Sequence, residues 1–193
     1  MAARKKTERL KPDPISRAVR ATINEMGYPL DDPHLSGSPD RIARFMREWH
    51  QQGKLPPKLT MFPNNPRVDE LVVVSGIPFY SLCAHHGVPF FGSAIIGYIP
   101  SVRVLGLSKF ARVVDYYANR FQTQERLTQE VASNLFELLH PRGMGVIMEA
   151  EHLCMSMRGI KKPGHCTTTS ALFGACKDDP ATRAEFFSIA RRP

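Results

Sequence analysis

Closely spaced pairs of cysteines are absent from this sequence of 193 residues, which holds four cysteines and no CxxC motif. A chain of this length buries roughly 70% of its unfolded surface, so it needs no disulfides to hold a core. The sequence also lacks the apolar segment of a secretion signal near its first residues. We therefore expect a cytoplasmic protein whose thiols serve a metal or catalytic site.

Acidic residues are scarce as well: 18 Asp and Glu stand against 26 Lys and Arg, a formal net charge of +8. Such an excess fits a polyanionic partner, either nucleic acid or a phosphorylated metabolite, although a solvated basic surface explains it equally well. Several basic residues lie within the first dozen positions. We expect a flexible basic tail over 1–14, an N-terminal helical segment over 15–66 and a catalytic α+β domain over 67–193.

Charged side chains are missing altogether from residues 71–102. Prolines, glycines and the His85-His86 pair interrupt this apolar stretch. Short buried strands are therefore favoured over a membrane-spanning helix, and we expect no membrane contact.

Apolar periodicity predicts helices on both sides of this stretch. The expected helices cover 15–26, Ser38 to near Gly53, a segment from Leu107, one from Thr123 with Leu127, Val131, Leu135 and Leu138 as its apolar stripe, and 180–192. The expected strands lie within 71–98 and over 145–157 and 167–173. Because strands flank a pair of helices, the order favours an α+β fold with an antiparallel sheet over a doubly wound parallel sheet.

Two short segments concentrate side chains that bind metals. They are Cys83-Ala84-His85-His86-Gly87 and Glu151-His152-Leu153-Cys154. Thiols and imidazoles are the ligands that zinc prefers, and three of them with an open position are typical of a catalytic zinc. On a straight strand residues 152 and 154 share a face, whereas Cys83 and His86 share an ion only if the chain turns, which Gly87 permits. The alternative is that these are ordinary buried thiols and core histidines.

Longer motifs resemble those of GTP cyclohydrolase I. They are SLCAHHGVPFFG, GYIP, VLGLSKFARVVDYYANRFQTQERLTQE and AEHLCMSMRGI, and the resemblance runs from about Ser38 to Arg191. It implies the tunnelling fold, an antiparallel four-stranded sheet with two helices between its second and third strands, preceded by N-terminal helices. It also implies a toroidal homodecamer with sites at subunit interfaces.

The resemblance implies a role for each matching residue. By it, zinc is bound by Cys83, His86 and Cys154, and the catalytic imidazoles are His85 and His152. Guanine binding falls on Gln124 and Glu125, and contacts to the triphosphate and ribose fall on Ser108, Lys109, Arg112, Arg158 and Arg41. Taken singly, several of these have a structural alternative, such as an acid in a helix's first turn, an N-cap serine or a solvated basic face.

The implied reaction is zinc-dependent hydrolysis of GTP at guanine C8, with formate release and rearrangement to 7,8-dihydroneopterin triphosphate. Zinc lowers the pKa of bound water to about 7, and an imidazole can protonate the departing ring nitrogen. A carboxylate at Glu125 can accept from the N1–H and the exocyclic amine of guanine together, a pair that adenine does not offer.

The chain departs from the family pattern at Ala84, where the family usually has Glu. A carboxylate there could orient a histidine or metal-bound water. The alternative is therefore an enzyme that stops at a ring-opened intermediate or uses a modified guanine nucleotide. A zinc-containing nucleic-acid module is disfavoured, because the ligands lack the compact spacing of a zinc finger. The expected partners are GTP and further copies of the chain, with no nucleic acid.

Overall fold

The structure, a computed structural model, describes residues 13–191. The predicted basic tail lies outside the described residues except at its last two positions. The chain divides into two compact units, the first ending at His50 and the second beginning at Gln51. The three-part division expected from the sequence stays a prediction. Within 13–191, no helix is both long enough and apolar enough to cross a bilayer.

Two helices build the first unit. Helix α1 spans Pro14–Glu25, and its N-cap Asp13 accepts a hydrogen bond from the backbone of Ile15. Helix α2 spans Ser38–Gln52 and begins at Ser38, as predicted. The two helices are joined by polar side chains: Ser16 donates to Asp40, and Arg47 pairs with Asp13 at 2.6 Å.

A five-stranded sheet in the order β5-β2-β3-β6-β7 organises the second unit. Its four long strands pair with one another in antiparallel fashion and span Val72–Cys83 (β2), Pro89–Ile99 (β3), Gly143–His152 (β6) and Thr167–Gly174 (β7). The fifth strand, β5 at Phe121–Gln122, runs parallel to β2. The expected α+β class is confirmed. The expected antiparallel four-stranded sheet is not confirmed, because the short parallel strand β5 makes the observed sheet five-stranded and mixed.

Helices α3 (Leu107–Ala118) and α4 (Gln124–Leu139) follow β3 in the chain and pack on the sheet, α3 against β2 and α4 against β6 and β7. Their apolar faces supply much of the core. In α4 the buried stripe continues from Leu135 to Leu139, whereas Leu138, expected in the stripe, is only half-buried.

The strand predicted over 145–157 is wrong in its last part, residues 153–157. β6 ends at His152, and Cys154 lies in a short helix, α5, at Leu153–Ser156. His152 pairs with Phe90, and the next position on β3 is Pro89. Since proline has no N–H to donate, the ladder stops there and the chain is free to turn.

Shorter elements complete the second unit. Strands β1 (Met61–Pro63) and β4 (Arg103–Leu105) form a separate two-stranded sheet, and helices α6 (Ala175–Asp178) and α7 (Pro180–Ala190) end the described chain. Phe186 of α7 is fully buried where two strand glycines leave room. A Cβ at Gly97 or Gly145 would lie 2.6 or 2.5 Å from its ring. These glycines are therefore required by packing against α7.

Candidate active site

Three strands end at the same edge of the sheet. β5 is parallel to β2, and both β2 and β6 are antiparallel to β3, so β2, β5 and β6 all run in one direction. Their C-terminal ends are Cys83, Gln122 and His152. We name this edge the site end. Strand direction alone thus brings together residues that lie far apart in the sequence.

The chain turns sharply after Cys83, and the turn includes Gly87, the residue that permits it. The Cys83 carbonyl accepts from the N–H of Gly87 at 2.8 Å and of His86 at 3.3 Å. Gly87 has φ +67°, in the left-handed region that favours glycine. The turn carries the His86 ring back toward Cys83, with Nδ1 3.7 Å from Sγ.

Cys83, His86 and Cys154 form one cluster whose ligand atoms all lie within 4.8 Å of one another. Cys83 is buried, Cys154 is half-buried and His86 is exposed, so the cluster is open to solvent on one side. Two thiols and an imidazole are the donors that zinc prefers, and three protein ligands leave one coordination position open. The donor set therefore fits a zinc ion.

The electrostatics of the two thiols depend on each other. Burial raises the pKa of the Cys154 thiol, and the neighbouring Cys83 raises it further. A cation that binds the Cys154 thiolate must therefore displace the proton of that thiol.

The ring of His152 is held by two contacts, and its backbone by a third. It stacks on Phe90 with the ring centroids 4.7 Å apart and the planes 1° from parallel. Its Nε2 lies 2.7 Å from Oε1 of Gln124, and its backbone N–H donates to Nε2 of His165 at 3.4 Å. Burial lowers the pKa of His152; His165 lowers it further and Glu125 opposes the shift.

A cavity of about 220 Å³ lies at the site end. Six of the predicted functional residues line it, namely Cys83, Cys154, His85, His152, Gln124 and Glu125. Pockets that enclose a whole small-molecule ligand usually measure roughly 300–1,000 Å³. The cavity within one chain is therefore suited to a single ring system rather than to an entire nucleotide.

The start of α4 places two neighbouring side chains in different surroundings. Thr123 is the N-cap, as expected from the sequence, and its hydroxyl accepts from the N–H of Arg126. Gln124 is 1% exposed, whereas the carboxylate-bearing Glu125 is exposed. One residue of the pair is thus committed to the protein interior, and the other is free to meet a ligand.

Four predicted triphosphate contacts of the second unit are absent from the lining of this cavity, as far as the described residues show. Ser108, Lys109 and Arg112 lie in the first half of α3, and Arg158 follows α5. Ser108, Arg112 and Arg158 are exposed. Gly106, not Ser108, is the N-cap of α3.

Arg41, the remaining predicted phosphate contact, belongs to α2 of the first unit. Its guanidinium donates to the carbonyl of His34 at 3.1 Å and to the hydroxyl of Ser38 at 3.0 Å. It is exposed on its helix.

Sequence reasoning missed several residues of the site. Gln122 and Thr167 line the cavity, and His165 contacts the backbone of His152. Gln122 is buried, and its carbonyl accepts from the N–H of Ala84 at 2.9 Å. The one sequence signal that could have pointed to Gln122 was its position directly before Thr123, the N-cap of α4. For His165 there was none, because its contact depends on the path of the loop between α5 and β7.

Comparison with known proteins agrees with these features. The family model for GTP cyclohydrolase I matches residues 15–191. The chain is 46% identical over 177 residues to GTP cyclohydrolase 1 of Aquifex aeolicus, covering 92% of this chain and 95% of the relative. It is 50% identical over 180 residues to GTP cyclohydrolase 1 of Mycolicibacterium gilvum, covering 91% and 88%. The enzyme of the same description from a Hydrogenobaculum species is 42% identical over 178 residues, covering 92% and 97%. The chain therefore belongs to the GTP cyclohydrolase I family and is a hydrolase.

Proposed function

We propose that this protein hydrolyses GTP at guanine C8, releases formate and rearranges the product to 7,8-dihydroneopterin triphosphate. A zinc ion would be held by Cys83, His86 and Cys154. The observation that carries the proposal is the convergence of this donor set with two imidazoles and a carboxylate at one cavity. Membership of the family supports GTP as the substrate.

When bound, a zinc ion would supply the Lewis acidity that makes water a usable nucleophile near neutral pH. The chain's own part is to keep three donors close together. Cys83 is fixed at the end of β2, His86 returns by the turn at Gly87, and Cys154 joins from α5. Both thiols also line the cavity.

Glu125 is the residue that we assign to guanine recognition. Its exposed carboxylate lines the cavity and can accept from the N1–H and the exocyclic amine of guanine at once. Adenine has no N1–H, so it would leave part of the carboxylate unpaired.

His152 and His85 are the residues that we assign to proton transfer. When water adds at C8 and one C8–N bond breaks, the departing ring nitrogen takes up a proton and C8 remains as a formyl group on the other nitrogen. A second water then cleaves that remaining C–N bond, its nitrogen takes up a proton, and C8 leaves as formate. His152 is held in place by Phe90 and Gln124, which suits a principal donor. His85 is exposed and lines the same cavity, with Nδ1 3.8 Å from the Cys83 sulfur, which suits an assisting role.

The triphosphate would extend beyond the cavity toward the predicted set Ser108, Lys109, Arg112, Arg158 and Arg41. Arginine and lysine suit an anion with several charges. Since the described lining of the cavity includes none of these residues, we propose a homo-oligomer, a decamer by family resemblance, in which a second copy supplies part of the set.

Metal analysis combined with identification of the product tests the reaction. Purified protein loaded with zinc should convert GTP to formate and to a pterin that fluoresces after oxidation, and a chelator should stop both. Mass spectrometry separates the full product from a ring-opened intermediate, the alternative that Ala84 raises. Zinc-loaded protein that releases neither product from GTP would contradict the proposal.

Mixing two inactive variants tests the shared site. Cys154→Ser removes a metal ligand, and Arg112→Ala removes a predicted phosphate contact. If the two residues serve one site from different copies, co-refolded mixtures should regain formate release, because some sites receive an intact half from each parent. Mixtures that stay as inactive as the parents would show that both residues come from the same chain.

A further inference from the structure

We infer that the Gln124 side chain positions His152 by accepting its Nε2–H, which leaves Nδ1 as the ring nitrogen that exchanges protons with the substrate. The inference rests on the proposed function, because it assumes that His152 transfers protons there. It gives Gln124 a task different from the guanine contact expected from the sequence.

The orientation of the Gln124 amide is fixed by its other partners. Its Nε2 lies 2.9 Å from the carbonyl oxygen of Met148 and 2.8 Å from that of Thr167. Backbone carbonyls only accept hydrogen bonds, so the amide nitrogen must face them. The amide oxygen must then face His152, where it lies 2.7 Å from Nε2.

The protonation of the His152 ring follows from that orientation. An amide oxygen only accepts, so Nε2 of His152 must carry a proton in the neutral ring as well as in the charged ring. In the neutral ring the lone pair is therefore on Nδ1. Within residues 13–191 no hydrogen bond to Nδ1 of His152 is present, and His152 lines the cavity. We therefore assign the contact with a ligand to Nδ1.

The polar atoms of the Gln124 side chain already have hydrogen-bond partners, so little capacity remains to bind the guanine base. It is 1% exposed, its nitrogen also lies 3.1 Å from Oγ1 of Thr169, and its oxygen is engaged by His152. Its partners come from β6 and β7, so the amide fastens the start of α4 to the sheet. Of the two side chains expected to contact guanine, Glu125 is therefore the one that we assign to this role.

Nitrogen-15 NMR of the metal-free protein tests the hydrogen bond without any assay of activity. We expect the Nε2 of His152 to give the signal of a protonated ring nitrogen, and its proton to exchange slowly with water because a buried acceptor holds it. A spectrum in which Nε2 carries no proton would overturn the inference.

Two variants separate positioning from packing. Gln124→Met keeps the length of the side chain but removes the acceptor; Thr169→Val removes one contact at the opposite end of the amide and keeps the bond to His152. We expect Gln124→Met to lower kcat by roughly 10- to 100-fold, a part of the 10²- to 10⁴-fold that a positioned proton donor contributes, with little change in KM for GTP. The slowly exchanging proton should be lost in this variant and kept in Thr169→Val, whose kcat should stay close to that of the parent.

The outcomes distinguish this inference from the proposed function. A rise in KM for GTP with unchanged kcat in Gln124→Met would assign the amide to guanine and overturn the positioning role. Equal losses in both variants would also overturn it, since they would indicate packing. If parent protein with zinc released no formate while His152 still showed the held Nε2–H, the proposed function would fail and the hydrogen bond would stand.

Discussion

The two ends of strand β6 place a cysteine in opposite kinds of surroundings. At the site end, Cys154 follows His152 and lies within 4.8 Å of Cys83 and His86. At the other end, which we name the closed end, Cys176 of α6 lies against Gly143, where a Cβ would come within 3.0 Å of its sulfur. Cys176 is fully buried, and burial raises the pKa of its thiol to about 11.

The difference shows that residue type alone does not assign a role to a thiol. Cys176 serves as a small apolar group that fills space beside the first residue of β6. Cys154 has a second thiol and an imidazole for neighbours, and it lines a cavity. The closed end is sealed by packing, while the site end leaves polar groups accessible. This contrast leads to four expectations, in order of decreasing effect.

The largest effect is expected from the two cysteines themselves. Cys154→Ser should lose bound zinc and lower the rate of formate release by more than about 100-fold, because metal assistance is worth several kcal/mol of barrier. The matched variant Cys176→Ser should keep its zinc and its rate and lose only thermal stability. Measuring zinc by mass spectrometry and formate by assay checks both, and equal zinc loss in the two variants would remove the distinction between the ends.

A smaller effect is expected from two carboxylates, of which Glu125 lines the cavity and Glu149 does not. Glu125→Gln should lower kcat/KM for GTP by roughly 10- to 100-fold, because a hydrogen bond to a charged group is worth about 1.5–3 kcal/mol. Glu149 lies on β6 but outside this cavity, so Glu149→Gln should leave kcat/KM unchanged. Steady-state kinetics with GTP decide the matter; identical losses would indicate an effect of net charge.

Packing near the closed end gives the third expectation. A methyl group at Gly145 would meet the ring of Phe186, so Gly145→Ala should lower the free energy of unfolding by about 1–3 kcal/mol. Combining it with Phe186→Leu should recover part of the loss, because the smaller side chain makes room. Urea unfolding measures both, and strictly additive losses would contradict the proposed clash.

The smallest expected effect lies outside this sheet, at the exposed pair of Asp13 and Arg47. The hydrogen bond from Arg47 lowers the pKa of the Asp13 carboxyl from 3.8 to about 2. The pair therefore contributes stability above pH 3.8, and the contribution is lost as the pH falls through about 2. The difference in melting temperature between the parent and Asp13→Asn should shrink across that window, and a difference independent of pH would argue against it.

Local signals predicted much of the framework from the sequence. Thr123 was expected to begin a helix and is the N-cap of α4, and Gly87 was expected to permit the turn after Cys83. Such signals work because capping and left-handed turns depend on a few neighbouring residues. The same local reasoning failed at His152, where the strand ends because its partner on β3 runs into Pro89.

Contacts between distant segments were beyond the reach of these signals. The amide of Gln124 bonds to the carbonyls of Met148 and Thr167, and the backbone of His152 bonds to His165. None of these pairs is marked by spacing or periodicity. They arise because β6, β7 and α4 meet at one end of the sheet.

By itself, the sequence determined the donors and the family: two thiols and three imidazoles in two recognisable segments, with helix caps and turns around them. Only the tertiary structure decided which of those groups meet and which way they face. The physical reason is that β2, β5 and β6 run in the same direction, so their ends share one edge of the sheet. The orientation of the Gln124 amide was decided there as well, because backbone carbonyls of β6 and β7 hold its nitrogen and leave its oxygen facing His152.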